Sequence, residues 1–171
     1  FEVKMLRFVT VAPDQKSVLY TALGKLYVKE LPAGTPKRLT ADEANFELFP
    51  AYSRDGNWIV YASWNDETQG AIYKVKSDGS SRTKLTVRAG HYVEPAYSSD
   101  GAKVVFRRTG GDGLRGNTSS KEQGVYWVNA EGGKPTLITT EGSNPVFTKA
   151  GDRIFLSSGE GDKTALISVG L

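Results

Sequence analysis

Cysteine is absent from the chain, and histidine and methionine occur once each. Without thiols there is no disulfide frame and no thiolate chemistry. A lone histidine, His91, excludes the usual zinc site, which draws on a full set of His and Cys ligands. No apolar run approaches the ~20 residues of a membrane-spanning helix, so direct membrane insertion is not expected, and no basic leader precedes an apolar segment. Sustained helical periodicity is missing as well. Charge is nearly balanced, 22 Lys and Arg against 19 Asp and Glu. The basic residues are scattered, with Arg107, Arg108 and Arg115 the densest group. A nucleic-acid binder would gather them on one stripe with stacking aromatics, so no nucleic-acid partner is expected. The chain begins with Phe1 rather than Met and reads as a piece of a longer protein.

What is present is a repeat. "PAYSRDGNWIVY" (50–61) returns as "PAYSSDGAKVVF" (95–106), with weaker copies in "VTVAPDQKSVLY" (9–20) and "PVFTKAGDRIFL" (145–156). In three copies a proline precedes a glycine at one fixed spacing: Pro50 and Gly56, Pro95 and Gly101, Pro145 and Gly151. Each copy is followed by a short alternating segment, "KLYVKE" (25–30), "AIYKVKSDG" (71–79), "GVYWVNAEGG" (124–133) and "ALISVG" (165–170). The first three of these run into "KRLT", "TKLT" and "TLIT". The chain divides into four units, 1–40, 41–86, 87–139 and a shortened 140–171.

Each unit reads as four strands, placed in the second unit at 49–53, 57–64, 71–76 and 82–86. Asp55-Gly56 and Asp78-Gly79 supply the tight turns, since glycine accepts positive φ and aspartate bonds back to its own backbone. Val, Ile, Tyr, Trp and Phe fill the strands. Four-stranded units at a fixed period predict an all-β fold, a β-propeller of antiparallel blades. A β-sandwich would not repeat its turn chemistry in this way. The spacing from second strand to third varies, from Tyr20 to Tyr27, Tyr61 to Tyr73, Phe106 to Tyr126 and Leu156 to Ile167. Insertions are therefore expected at one connection per blade, on one face.

The pattern L-T, P-A-Y-S-x-D-G-x-x-(I/V)-V-(Y/F), I-Y-x-V-x-x-D-G, L-T resembles the TolB-like family of WD-like propeller repeats. The likeness covers nearly the whole chain and is strongest in the second and third units. It implies a bacterial protein, periplasmic or secreted, and a ring of six or seven blades, of which this chain holds about four. Family members also serve as accessory domains of tricorn-like peptidases, prolyl-oligopeptidase-like enzymes and amidohydrolases. The stretches at 3–20 and 90–108 look most like the propeller part of the amidohydrolase fusions.

Motifs of chemistry are weak. Gly111-x-Gly113-x-x-Gly116 matches a dinucleotide fingerprint, but a strand rather than a helix follows, so it reads as an inserted loop. His91, with Glu94 three residues on, reads as a structural or interface histidine. Ser98 occupies the repeat's turn position, matching Ser53 and Thr148, and is assigned to local hydrogen bonding. Asp42, Glu43 and Glu47 are read as a solvated loop rather than a cation site. The S-x-D-G turns are one residue shorter than a sialidase Asp box and lack its Thr-Trp, so glycosidase function is not carried over. Asn117-Thr118-Ser119 is a glycosylation sequon without a secretory context. No catalytic residue, metal site or cofactor is expected.

In a propeller the connections between blades and those between second and third strands emerge on one face. That places Phe46, His91, Tyr92, Glu94, Arg107, Arg108 and Arg115 on or near one rim, with Phe46 and Tyr92 alternatively packed between blades. Two functions are consistent with this. One is a non-catalytic propeller that binds a protein partner or an attached domain through the rim. The other is the accessory propeller of a hydrolase whose active site lies outside this chain. An incomplete ring would also expose edges for self-association, unless the N-terminal "FEVK" completes the last unit.

Overall fold

The structure, a computed structural model, describes residues 5–110, 122–160 and 163–171. The fingerprint glycines, the sequon, Arg115 and the "FEVK" segment lie outside the described residues. Among the described residues the secondary structure is all β. Blade 1 is β1 (Arg7–Val11), β2 (Ser17–Ala22), β3 (Lys25–Glu30) and β4 (Lys37–Arg38). Blade 2 is β5 (Phe46–Tyr52), β6 (Trp58–Trp64), β7 (Ala71–Lys76) and β8 (Thr83–Lys84). Blade 3 is β9 (His91–Tyr97), β10 (Lys103–Thr109), β11 (Gly124–Asn129) and β12 (Thr136–Thr139). Blade 4 is β13 (Ser143–Phe147), β14 (Arg153–Glu160) and β15 (Lys163–Gly170). Among the described residues every blade is an antiparallel meander in chain order, three of four strands and the last of three.

The first strands are innermost: β1 packs on β5, β5 on β9 and β9 on β13. Among the described residues no comparable packing joins blade 4 back to blade 1, so the blades form an open arc. Three apolar layers fill the spaces between blades. Leu19, Leu26, Ile59, Tyr61 and Val75 seal blades 1 and 2. Val60, Ile72, Tyr92, Val104 and Phe106 lie between blades 2 and 3, and Val105, Val125, Ile154 and Leu156 between blades 3 and 4. Neighbours such as Tyr61 and Val60 thus serve opposite layers, because side chains alternate along a strand and both faces of an internal blade are covered.

The turn chemistry follows the repeat. Gly56, Gly101 and Gly151 adopt φ of +75°, +72° and +74°, and Gln15 takes +60° at the same place in blade 1. Ser53 Oγ donates to Asp55 Oδ1 at 2.5 Å and receives the Trp58 N–H at 2.9 Å. Ser98, Asp100 and Lys103 repeat the arrangement at 2.6 and 2.9 Å, which occupies Ser98 within its hairpin.

The residues that face each other in sequence across the variable connection are direct cross-strand partners: Tyr20 with Tyr27, Tyr61 with Tyr73, Phe106 with Tyr126 and Leu156 with Ile167. The three aromatic pairs stack, with centroids 6.0, 5.9 and 6.2 Å apart. The expected strand bounds shift in two places. β5 begins at Phe46 rather than 49 because pairing continues past an irregularity between Leu48 and Ala51, where Phe49 has φ +54°. β8 shrinks to Thr83–Lys84, since Leu85 and Thr86 turn their backbone toward the neighbouring strand and blade.

Candidate functional site

Each blade's inner strand starts on the face where its second strand ends, so the β2–β3 and β6–β7 connections, the end of β10 and the links between blades share one rim. Phe46 opens β5 at this rim, half exposed, with its ring lying over Gly24. A Cβ at Gly24 would fall 2.2 Å from the Phe46 ring, so the glycine is what lets the ring lie flat on the β2–β3 turn. Phe46 pairs with Trp64 across the sheet, and Trp64 meets His91 of blade 3 edge-on at 5.3 Å.

His91 is half-buried, and its Nδ1 contacts the Thr109 hydroxyl from the opposing strand. Burial, with the Arg107 guanidinium adding to it, pushes the His91 pKa below the ordinary histidine value. The imidazole is therefore neutral at pH 7.

One position recurs around the axis, and the sequence picked it out only at Glu94: the residue before the repeat's proline. Phe8, Phe49, Glu94 and Asn144 all adopt left-handed φ, between +51° and +57°, at an irregularity in their strands. Such backbone costs about 1–3 kcal/mol for a non-glycine residue and persists only where surrounding contacts enforce it. In blades 1 and 2 the enforcing contact is apolar, Phe8 against Phe49 with centroids 4.0 Å apart. In blades 3 and 4 it is polar. Glu94 takes two hydrogen bonds from Arg107, at 3.0 and 2.7 Å, and a third from the Asn144 backbone N–H at 2.7 Å. The signal was available, because the repeat's prolines mark the position in three blades.

Arg108 turns the other way, toward blade 2. Its Nη1 donates to Glu122 at 2.6 Å, and Arg88 Nη1 donates to both oxygens of the same carboxylate at 2.8 and 3.0 Å. These hydrogen bonds hold the Glu122 carboxyl below the usual carboxylate range. Tyr92 takes the second of its two expected placements, packed between blades. It is buried in the layer between blades 2 and 3, edge-on to Phe106 at 5.4 Å, rather than displayed on the rim. Its hydroxyl donates to the Arg88 carbonyl at 2.9 Å.

The acidic loop is corrected in part. Glu47 is fully buried and accepts the Leu26 N–H at 3.0 Å and the Thr40 hydroxyl. Asp42 closes its own loop, accepting the Ala44 N–H at 3.0 Å and the Asn45 side-chain amide at 2.8 Å. Glu43 pairs with Arg38. Among the described residues no group of three or more His, Asp or Glu side chains is placed to hold a metal ion.

No protein-family model matches the chain. An uncharacterized protein of Agrobacterium fabrum is 35% identical over 99 residues, 56% of this chain and 33% of that protein. TolB from Acinetobacter baumannii superposes with a TM-score of 0.71 at 17% identity, over 98% of this chain and 42% of that one. The fold is a TolB-like β-propeller. An oligogalacturonate lyase from Vibrio parahaemolyticus shares it, with a TM-score of 0.74, 12% identity, and coverage of 95% of this chain and 50% of that one. The TolB-like arc thus spans half or less of each of these proteins. No helix among its described residues is long and apolar enough to cross a membrane.

Proposed function

We propose that this chain is a non-catalytic TolB-like propeller segment that binds a protein partner or an attached domain through its rim face, in a periplasmic or secreted setting. One observation carries the reading. Large apolar side chains stand exposed on that face: Leu23 at 61% and Phe46 at 54%, whose ring lies on the neighbouring Gly24, and, on a separate connection, Val87 at 70%. All three belong to connections or strand starts at the rim rather than to the blade layers. Exposed large apolar side chains on a loop-lined face are candidates for partner contact.

The open faces of the terminal blades form a second exposed set, Val9 and Val11 in blade 1 and Val146, Phe155 and Leu166 in blade 4. These are the surfaces for self-association or for further blades. A second functional reading is the accessory propeller of a hydrolase. It is supported by the resemblance of the stretches at 3–20 and 90–108 to the propeller part of the amidohydrolase fusions.

The test is cross-linking mass spectrometry on the full-length gene product with and without Phe46→Asp and Val87→Asp. Cross-links concentrated on the rim, lost in the variants while Tm is kept, support the interaction role. Rim cross-links to a domain of the same polypeptide select the accessory reading. Cross-links confined to the outer strands overturn both.

A further inference from the structure

A recess of about 350 Å³ opens between the β8–β9 connection and the outer half of blade 3. Tyr92, Phe106 and Tyr126 contribute its aromatic wall, edge-on at 5.4 Å and stacked at 6.2 Å. Its mouth carries three cations, Arg88, Arg108 and Lys134, against one carboxylate, Glu122. The wall holds the mouth in place, because each tyrosine hydroxyl bonds the backbone of a mouth residue. Tyr92 donates to the Arg88 carbonyl at 2.9 Å and Tyr126 to the Glu122 carbonyl at 3.0 Å.

The Glu122 carboxylate shows what the two arginines accept. A planar group with two oxygens bridges one nitrogen of Arg88 and one of Arg108 at 2.6 to 3.0 Å, in charge-assisted hydrogen bonds. Even with Glu122 in place, two positive charges remain uncompensated among the lining residues. An aromatic floor, a few convergent polar groups and a volume of this order are the attributes of a small-ligand site.

We propose that this recess binds a small organic carboxylate with an aromatic or branched apolar body. The body lies on the aromatic wall and the carboxylate takes the place of Glu122 between Arg88 and Arg108, with Lys134 beside it. The recess shares Val87 with the rim surface, but the proposal rests on its own aromatic and arginine lining and not on the rim's function.

The test titrates the 15N-labelled 171-residue chain with phenylacetate, following the amides of Val87, Arg88 and Lys134. Phenylacetamide removes the charge and acetate removes the body. Phenylacetate is expected to bind saturably and about tenfold tighter than either control, the difference a charge-assisted hydrogen bond makes. Arg88→Ala and Lys134→Ala change exposed side chains, so the fold is retained and affinity falls about threefold, the scale of an exposed ion pair. Glu122→Gln removes the internal competitor and is expected to tighten binding by a similar factor. Absence of saturable shifts at these amides, equal binding of phenylacetamide, or an affinity unmoved by Glu122→Gln each overturns the proposal.

Discussion

Glu47 of blade 2 accepts the backbone N–H of Leu26 in blade 1 at 3.0 Å, with both residues fully buried. Thr21 of blade 1 returns the contact, donating from its hydroxyl to the Glu47 carbonyl at 3.0 Å. The corresponding amide in blade 2, Ile72 N–H, is satisfied within its own blade by the Thr86 hydroxyl at 3.1 Å. One blade boundary therefore depends on a buried carboxylate where the next uses a threonine.

Burial pushes the Glu47 carboxyl above its ordinary value of 4.5. The folded state then holds a proton that the unfolded state releases. The stabilisation is complete below about pH 4.5 and is lost as pH rises through the raised folded pKa. Glu47→Gln keeps an acceptor for Leu26 without the titration, so it should gain on wild type between pH 4 and pH 7.5 in urea unfolding. A gap that stays constant with pH refutes this. Glu47→Ala leaves a buried N–H unpaired and should cost about 1–3 kcal/mol.

Two glycines separate backbone conformation from crowding. Gly101 has φ +72° and open space where a Cβ would stand. Gly101→Ala should cost about 1–2 kcal/mol, the price of left-handed backbone alone. Gly79 has φ +88°, and its Cβ would meet the Leu39 carbonyl of blade 1 at 2.1 Å. Gly79→Ala should therefore lower Tm well beyond Gly101→Ala, and equal losses would show that the close approach is unimportant.

His91 titrates with the opposite sign. Its folded pKa lies below the unfolded value of 6.5, through burial and then Arg107. Its contribution to stability is full above the unfolded pKa and is lost as pH falls through the folded one. Unfolding free energy measured from pH 7.5 down to pH 4.5 should drop more steeply for wild type than for His91→Gln. The variant should be weaker at pH 7.5, having lost the ring contact with Trp64. Parallel pH curves would remove His91 from the account.

Exposed Val146, Phe155 and Leu166 make blade 4's open face apolar. Sedimentation velocity should show the mean sedimentation coefficient rising with protein concentration. Leu166→Lys, at a side chain 73% exposed, should flatten that rise without changing Tm. A wild-type chain that stays monomeric across the range would count against self-association.

The order of strands, the turns and the cross-strand pairs such as Tyr61 with Tyr73 were legible in the residues themselves. They depend on neighbours a hairpin apart, on glycine's access to positive φ and on the strand's period of two. Tertiary structure decided what crosses between blades. It buried Glu47 against Leu26 and Tyr92 in the layer shared with Val60 and Ile72 of blade 2, and it brought Glu94 to the backbone of Asn144 fifty residues away. Alternation tells which residues share a face of a strand. In a blade covered on both sides it does not tell which neighbour that face will meet, so a carboxylate reads as solvated until the adjoining blade supplies an amide for it to accept.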